Sequence, residues 1–273
     1  MLPRLIATDL DGTFLDVHGD YDHARLDALL VDLDRRGSQL VLATGDPLDH
    51  VYQLFGDLKH ADLLTYVVED GAMIVSGTGT VLQQNAMPAT LSRQAIAWIQ
   101  TAPLLAENFL IACAPQAAYT ELAATSDRFA ASQVYYPSLT SVADLLAVTA
   151  PVLKLDVTWL RNDVSAQVAA FNHTFAGQLV GTSSGLGGMN VTLPTVSKGA
   201  ALAFLQQRWQ LTTDQLAAFG DSGNDLSMLQ LVGQGIAIAN AAPEVLTAIP
   251  RHTQRTNVHP AVMDQIADWL HRD

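Results

Sequence analysis

The sequence predicts an α/β protein: a doubly wound, mainly parallel sheet interrupted by an inserted α+β unit. Three observations predict it. Short apolar runs alternate with stretches of helical periodicity at both ends of the 273-residue chain, the signature of parallel strands joined by crossover helices. That alternation breaks over 86–191 and then resumes, which leaves the sheet to segments 1–85 and 192–273 with a second unit between them. Two acid-rich turns, Asp9-Leu10-Asp11-Gly12-Thr13 and Gly220-Asp221-Ser222-Gly223-Asn224-Asp225, each follow an apolar run that reads as a buried strand. Both turns therefore fall at the carboxyl ends of strands, where open α/β sheets bind their ligands.

In chain order, Leu5-Ile6-Ala7 reads as the first strand. Leu26, Leu29, Leu30 and Leu33 recur at helical spacing, with Gly37 as the stop. Gln39-Leu40-Val41-Leu42-Ala43 is a second buried strand, and Asp46-Pro47 opens the next helix with a cap residue and a proline in the first turn. Tyr66-Val67-Val68 is a third strand, and 72–75 with 80–82 reads as a hairpin around Ser76-Gly77-Thr78-Gly79. The insert offers a helix around 91–99, several short apolar runs, an alternating strand over 152–159 and a helix over 163–175. Two β segments, 178–182 and 189–193, follow across the glycine-rich turn Gly185-Leu186-Gly187-Gly188. The doubly wound pattern returns with a helix over 198–209, a strand over 216–219, a helix over 224–232, a strand over 235–239 and a last helix over 260–270.

Composition narrows the functional classes. Hydrophobic content of 49% with 15% charged residues describes a folded globular chain. A net charge of -13 argues against a nucleic-acid partner, because binding a phosphate backbone needs a basic surface. A small anionic ligand stays open, since a bound cation and Lys198 can reverse the sign at one site. Cys113 is the only cysteine, which rules out an internal disulfide and a cysteine-based zinc site; its apolar neighbours make it a small buried hydrophobe. The eight histidines are scattered with no metal-ligand spacing. Met1-Leu2-Pro3-Arg4 lacks the layout of a signal peptide, and the long uncharged stretch 174–197 is too rich in Gly, Ser and Thr to span a bilayer. A cytoplasmic location without a membrane partner is the expectation.

The acidic turns carry the chemistry. Asp9 and Asp11, two apart on a strand, are expected to project in one direction. Bringing Asp221 and Asp225 to the same rim packs four like charges together, which is costly unless a cation compensates them. Hard oxygen ligands with no Cys or His nearby favour Mg²⁺ over zinc or copper, and a Mg²⁺ held by a few carboxylates keeps positions for water and a substrate phosphate. The sequence points to phosphate chemistry.

Asp9-Leu10-Asp11-Gly12-Thr13, Thr44-Gly45, Ser197-Lys198-Gly199 and Gly220-Asp221-Ser222-Gly223-Asn224-Asp225 resemble, in order and spacing, the four motifs of the haloacid dehalogenase-like phosphatase superfamily. Glu69-Asp70-Gly71-Ala72 and the position of the insert resemble its Cof-type sugar-phosphatase branch. The likeness spans nearly the whole chain. It implies a Rossmann-like catalytic core (1–85 and 192–273), a cap (86–191) that selects the substrate, Mg²⁺ as cofactor, and hydrolysis of small phosphorylated metabolites through an aspartyl-phosphate. Hexose phosphates come first among these, followed by phosphorylated cofactors such as flavin or pyridoxal phosphates.

On that reading Asp9 is the nucleophile, Asp11 the general acid and then base, and Asp9, Asp11 and Asp221 the metal ligands. Thr13 fixes the loop through a neighbouring carboxylate or backbone group, and Gly12 permits its tight conformation. Thr44 offers a hydroxyl and the Gly45 region offers backbone N–H groups to phosphoryl oxygens, against the plainer reading of a strand end before a helix. Lys198 begins a helix, where a cation is unfavourable unless an anion is near; a solvated surface lysine is the competing reading. Asn224 is an amide contact to phosphate or substrate, and Asp225 orders Lys198 or a metal-bound water, where ordinary turn and cap chemistry is the alternative. Two departures stand out. Asp46 occupies a position where related sequences commonly carry Arg, and is read as a helix cap. His259-Pro260 interrupts a C-terminal stretch where relatives carry an acidic-Gly-Val run after the Asn corresponding to Asn257. Two further functions remain open: a phosphomutase sharing the aspartyl-phosphate, and a non-enzymatic sugar-phosphate sensor.

Overall fold

The computed structural model describes residues 2–159, 163–184 and 187–272. The chain forms two compact units, one of Met1–Gly45, Tyr52–Gln83 and Ser197–Asp273, the other of Asp46–Val51 and Gln84–Val196. Asp46–Val51, which the sequence pattern leaves with segment 1–85, thus groups with the second unit: Asp49 Oδ2 accepts a hydrogen bond from Ser138 N at 2.8 Å.

The first unit begins with β1 (Leu5–Thr8), followed by α1 (His23–Arg35), which Asp22 caps by accepting from Arg25 N and whose buried stripe is Leu26, Leu29, Leu30 and Leu33. Next come β2 (Gln39–Ala43), α2 (Leu48–Phe55), of which only the part from Tyr52 onward groups with this unit, β3 (Leu64–Val68), β4 (Met73–Ser76) and β5 (Val81–Gln84).

The second unit contributes α3 (Ala89–Thr101), β6 (Asn108–Cys113), β7 (Ala118–Thr120), α4 (Asp127–Ser132), β8 (Leu139–Ser141), β9 (Lys154–Trp159), α5 (Ser165–Thr174), β10 (Val180–Ser183) and β11 (Gly188–Thr192). Its sheet runs β10-β11-β9-β6-β7-β8. Strand alternation in β9 sends Leu155, Val157 and Trp159 into a core with Ile96 and Ile99 of α3 and Phe171 of α5. On the other face Asp156 accepts hydrogen bonds from Tyr136 Oη at 2.7 Å and Thr158 Oγ1 at 3.0 Å. Cys113 is buried with Ile111, Ala118 and Phe129. Of the glycine-rich turn, Gly185 and Leu186 lie outside the described residues.

The chain then returns to the first unit through α6 (Lys198–Arg208), β12 (Leu216–Gly220), α7 (Leu226–Leu231), β13 (Gln234–Ala237), α8 (Pro243–Ala248) and α9 (Ala261–Arg272). Its seven-stranded sheet has the order β13-β12-β1-β2-β3-β4-β5, and β13, β12, β1, β2 and β3 are parallel throughout. Both faces are covered, which explains the continuous apolar runs. Leu5, Ala7, Val41, Leu216 and Ala218 pack on one side with Leu202 and Leu205 of α6, while Phe219 meets Trp269 of α9 at 5.8 Å between ring centroids. Among the described residues no helix is long and apolar enough to cross a membrane.

Candidate active site

The register pairs Thr8 with both Leu42 and Phe219, so the carboxyl ends of β1, β2 and β12 are level. Every motif residue of the first unit leaves from this rim or from the α6 N-terminus. Strand geometry ends one residue before Asp9, whose N–H still donates to Phe219 O at 3.0 Å. Leu10–Phe14 then forms a wide turn with π-helical hydrogen bonding, broken by Asp11 (φ -68°, ψ 126°) and Gly12 (φ 76°). The common direction expected for Asp9 and Asp11 from strand alternation therefore does not apply. Asp9 is buried and Asp11 is exposed. Only glycine fits at position 12 of this turn: its φ is left-handed, and a Cβ there would stand 2.4 Å from Asp221 Oδ2. Thr13 Oγ1 donates to Asp221 Oδ1 at 3.3 Å, tying the turn to the second acidic cluster.

Lys198 is no surface lysine. Only 1% exposed, it donates to Asp9 Oδ1 at 2.5 Å and to Asp225 Oδ1 at 2.7 Å. Ser197 caps α6 by accepting from Ala200 N, and Gly199 lies so close to α7 that a Cβ would meet Ser227 O at 2.5 Å. Asp225 is fully buried; its Oδ2 accepts from the N–H groups of Asp221 and Ser222, each at 3.0 Å. Asp225 thus spends one oxygen on the loop that carries Asp221 and the other on Lys198.

Asp9, Asp221 and Asp225 bring carboxylate oxygens within 4.8 Å of one another, and Asp11 lies outside that trio. Burial pushes the Asp9 carboxyl well above the ordinary range; Asp225 and Asp221 add to this and Lys198 opposes it. Burial also pushes Asp221 up to about 6, reinforced by Asp225 and, more weakly, by Asp11. For Lys198, burial alone would lower the pKa, but Asp225 and Asp9 outweigh it and hold the ammonium charged. Three carboxylates crowd around one ammonium in a largely buried cluster, so ionising them all is costly. A divalent cation on the oxygens of Asp9 and Asp221 would relieve it, and an all-oxygen donor set suits Mg²⁺.

Thr44 is buried at the end of β2, its N–H bonded to Val67 O and its carbonyl accepting from Asp70 N at 3.1 Å. Asn224 is exposed, and its Nδ2 donates to Asp70 Oδ1 at 3.0 Å. Gly45 lies close enough to the same carboxylate that an added Cβ would be 3.2 Å from Asp70 Oδ1. Asp46 stands two residues before α2. Sequence reasoning gave no role to Asp70, nor to two asparagines that pin the first turn. Asn240 Nδ2 donates to Gly12 O at 2.8 Å and Asn257 Nδ2 to Leu15 O at 2.9 Å, while Asn257 N donates to Asn240 Oδ1. Asn257 is visible in the sequence only as the Asn that opens the departing C-terminal stretch, and Asn240 only as a polar amide in the loop after a late strand, too common to single out.

A family model for haloacid dehalogenase-like hydrolases matches residues 6–266. The chain belongs to this family. The resemblance seen in the motifs, its Cof-type branch included, is borne out, as is the α/β fold. Among curated relatives, the 5-amino-6-(5-phospho-D-ribitylamino)uracil phosphatase YbjI of Escherichia coli is 28% identical over 96% of this chain and 94% of its own. The HMP-PP phosphatase of Citrobacter koseri is 25% identical over 91% and 89%. Among solved structures, SMU.1108c from Streptococcus mutans superposes with a TM-score of 0.89 at 30% identity, covering 98% of this chain and 99% of that one. Family and relatives together make the chain an enzyme, a phosphoric monoester hydrolase.

Proposed function

We propose that the protein is a Mg²⁺-dependent phosphatase of small phosphorylated metabolites, sugar phosphates foremost, working through an aspartyl-phosphate on Asp9. The observation that carries this reading is the buried Asp9–Lys198–Asp225 triad beside Asp221: a carboxylate held in one orientation by an ammonium, at the rim of a parallel sheet. Lys198 occupies Asp9 Oδ1, which leaves Oδ2 as the attacking atom.

In the first half-reaction Asp9 Oδ2 bonds to phosphorus, the bond from phosphorus to the leaving oxygen breaks, and Asp11 gives that oxygen a proton. In the second, water attacks phosphorus, Asp11 takes its proton, the Asp9–phosphorus bond breaks and inorganic phosphate leaves. The exposure of Asp11 suits a group that must exchange protons with the leaving group and then with water. Thr44, the Gly45 region and Asn224 donate hydrogen bonds to the phosphoryl oxygens, and Lys198 offsets their charge. Asp9 and Asp221 would hold Mg²⁺, whose chemistry when bound is to neutralise phosphoryl charge. Asp225 is committed to Lys198 and the loop backbone, and Thr13 holds Asp221.

Segment 86–191 is proposed to select the leaving group, because the four chemical motifs lie outside it. The E. coli and Citrobacter relatives, phosphatases of 5-amino-6-(5-phospho-D-ribitylamino)uracil and of HMP-PP, add these two compounds to the candidate substrates. The test is phosphate release across a panel of phosphorylated metabolites with Mg²⁺. A sugar phosphate hydrolysed far above the rest supports the reading, and an isomeric sugar phosphate in place of free phosphate would make the enzyme a mutase.

A further inference from the structure

After β3 the chain makes a single tight turn in which Glu69, Asp70 and Gly71 all have positive φ, at 52°, 59° and 101°. Left-handed backbone is unfavourable for most side chains, and Asp is among the few that tolerate it. Packing enforces it here. A Cβ at Gly71 would stand 2.3 Å from Ser197 O, and Asp70 N donates to Thr44 O at 3.1 Å, so the turn is wedged between the end of β2 and the start of α6. That conformation presents the Asp70 carboxylate to Asn224 Nδ2 at 3.0 Å and to Gly45. The other end of the Asn224 amide, Oδ1, lies 2.7 Å from Ser222 Oγ. A carboxylate can only accept hydrogen bonds, so Asp70 selects one of the two amide orientations: NH₂ toward itself, oxygen toward the Ser222 hydroxyl.

We infer that Asp70 is a positioning residue. It fixes the amide of Asn224 and the spacing between that amide and the Thr44–Gly45 turn, so that the donors to the phosphoryl oxygens keep one arrangement. The inference rests on the phosphatase reading for the roles of Asn224 and Thr44, and assigns the group that holds them. As a carboxylate Asp70 repels phosphate, so its contribution is geometric, and Asp70→Asn, which keeps an acceptor and tolerates the same backbone, serves as the conservative variant.

The experiment is a double-mutant cycle on the full chain with Asp70→Gly, Asn224→Ala and the pair, Gly being chosen because it accepts the left-handed backbone without strain. Three quantities are read: kinetics with para-nitrophenyl phosphate and Mg²⁺, binding of inorganic phosphate with Mg²⁺ by calorimetry, and the melting temperature. Each single variant is expected to raise KM and weaken phosphate binding about tenfold, a loss on the scale of one hydrogen bond to a charged group. Little change is expected in kcat or melting temperature. The pair should be no worse than Asn224→Ala alone, and Asp70→Asn should stay within about threefold of the parent, since the acceptor is retained.

Wild-type behaviour of Asp70→Gly or Asn224→Ala, or losses that multiply in the pair, overturns the inference. Absence of ester hydrolysis by the unaltered protein, with the non-additive pattern intact in phosphate binding, would remove the phosphatase reading and leave the positioning role standing. Absence of phosphate binding removes both.

Discussion

Lys198→Met tests the electrostatic centre most severely. The ammonium is 1% exposed and lies 2.5 Å and 2.7 Å from the carboxylates of Asp9 and Asp225, whose side chains are 8% and 0% exposed. Methionine matches the length of the stem and removes the charge, which leaves two buried carboxylates uncompensated. Breaking a buried pair from one side costs about 3–5 kcal/mol. At about 2–4 °C per kcal/mol for a chain of this size, the calorimetric transition of the first unit should fall by roughly 6–20 °C. The deficit has a predictable pH dependence. Lys198 is what pulls the Asp9 pKa down, so without it that pKa rises further. A carboxyl whose folded-state pKa lies above its unfolded value favours the native state at low pH, and that contribution is lost as pH rises through the folded pKa. The variant should therefore be closest to the parent in mild acid and fall away toward neutrality. Adding Asp225→Asn, which keeps an acceptor for the N–H groups of Asp221 and Ser222, should recover a substantial part of the loss. A deficit below about 1 kcal/mol, the scale of a solvated pair, would show that Lys198 does not sustain the buried carboxylates, as would one that does not vary with pH or is not relieved in the double variant.

Asp9→Asn keeps the shape and removes the attacking charge, so turnover should fall by about three orders of magnitude or more with the fold intact by circular dichroism; near-normal activity would sink the mechanism. Asp11→Asn should be nearly as severe and, with a good leaving group, leave a phosphorylated enzyme that turns over slowly. Activity should vanish with chelator and return with Mg²⁺, while Ca²⁺, larger and looser in geometry, restores little; full activity in a chelated sample would contradict the proposed metal role. Replacing 86–191 with a short linker should cut turnover of the best metabolite far more than that of a small activated ester, and equal losses in a folded variant would assign specificity to the core.

Much of the first unit was legible because chemistry restricts residue types at strand ends. The strand runs before Asp9, Thr44 and Asp221 are apolar on both faces, as a covered parallel sheet requires, and the acidic turns that follow stand out against them. The geometry of the first turn was not legible. Alternation would place Asp9 and Asp11 on one face, but the segment winds into a π-type turn that only glycine at position 12 permits and that the amides of Asn240 and Asn257 hold. Those asparagines lie more than 200 residues from the carbonyls they hold, and no local pattern encodes such a pairing. The Ser197-Lys198-Gly199 motif draws attention to Lys198, but its burial between two carboxylates is a property of the packed rim. In the second unit β7 and β8 are three residues each and α4 is six, too short for periodicity to separate from loop. Asp70 was visible in sequence as part of Glu69-Asp70-Gly71-Ala72, but its bond to Asn224 depends on a left-handed turn imposed by Ser197 and Thr44.

The proposed mechanism stands or falls on a bond between phosphorus and Asp9. The direct measurement is to quench the enzyme in acid during turnover of an activated phosphate ester with Mg²⁺, reduce it with borohydride, and map the digested chain by mass spectrometry. An acyl phosphate is reduced to the alcohol, so Asp9 alone should be converted to homoserine, in higher yield when Asp11→Asn slows the second step, and Asp9→Asn should give none. Conversion at another carboxylate, or steady turnover with no reducible intermediate in either the parent or the Asp11→Asn variant, would contradict it.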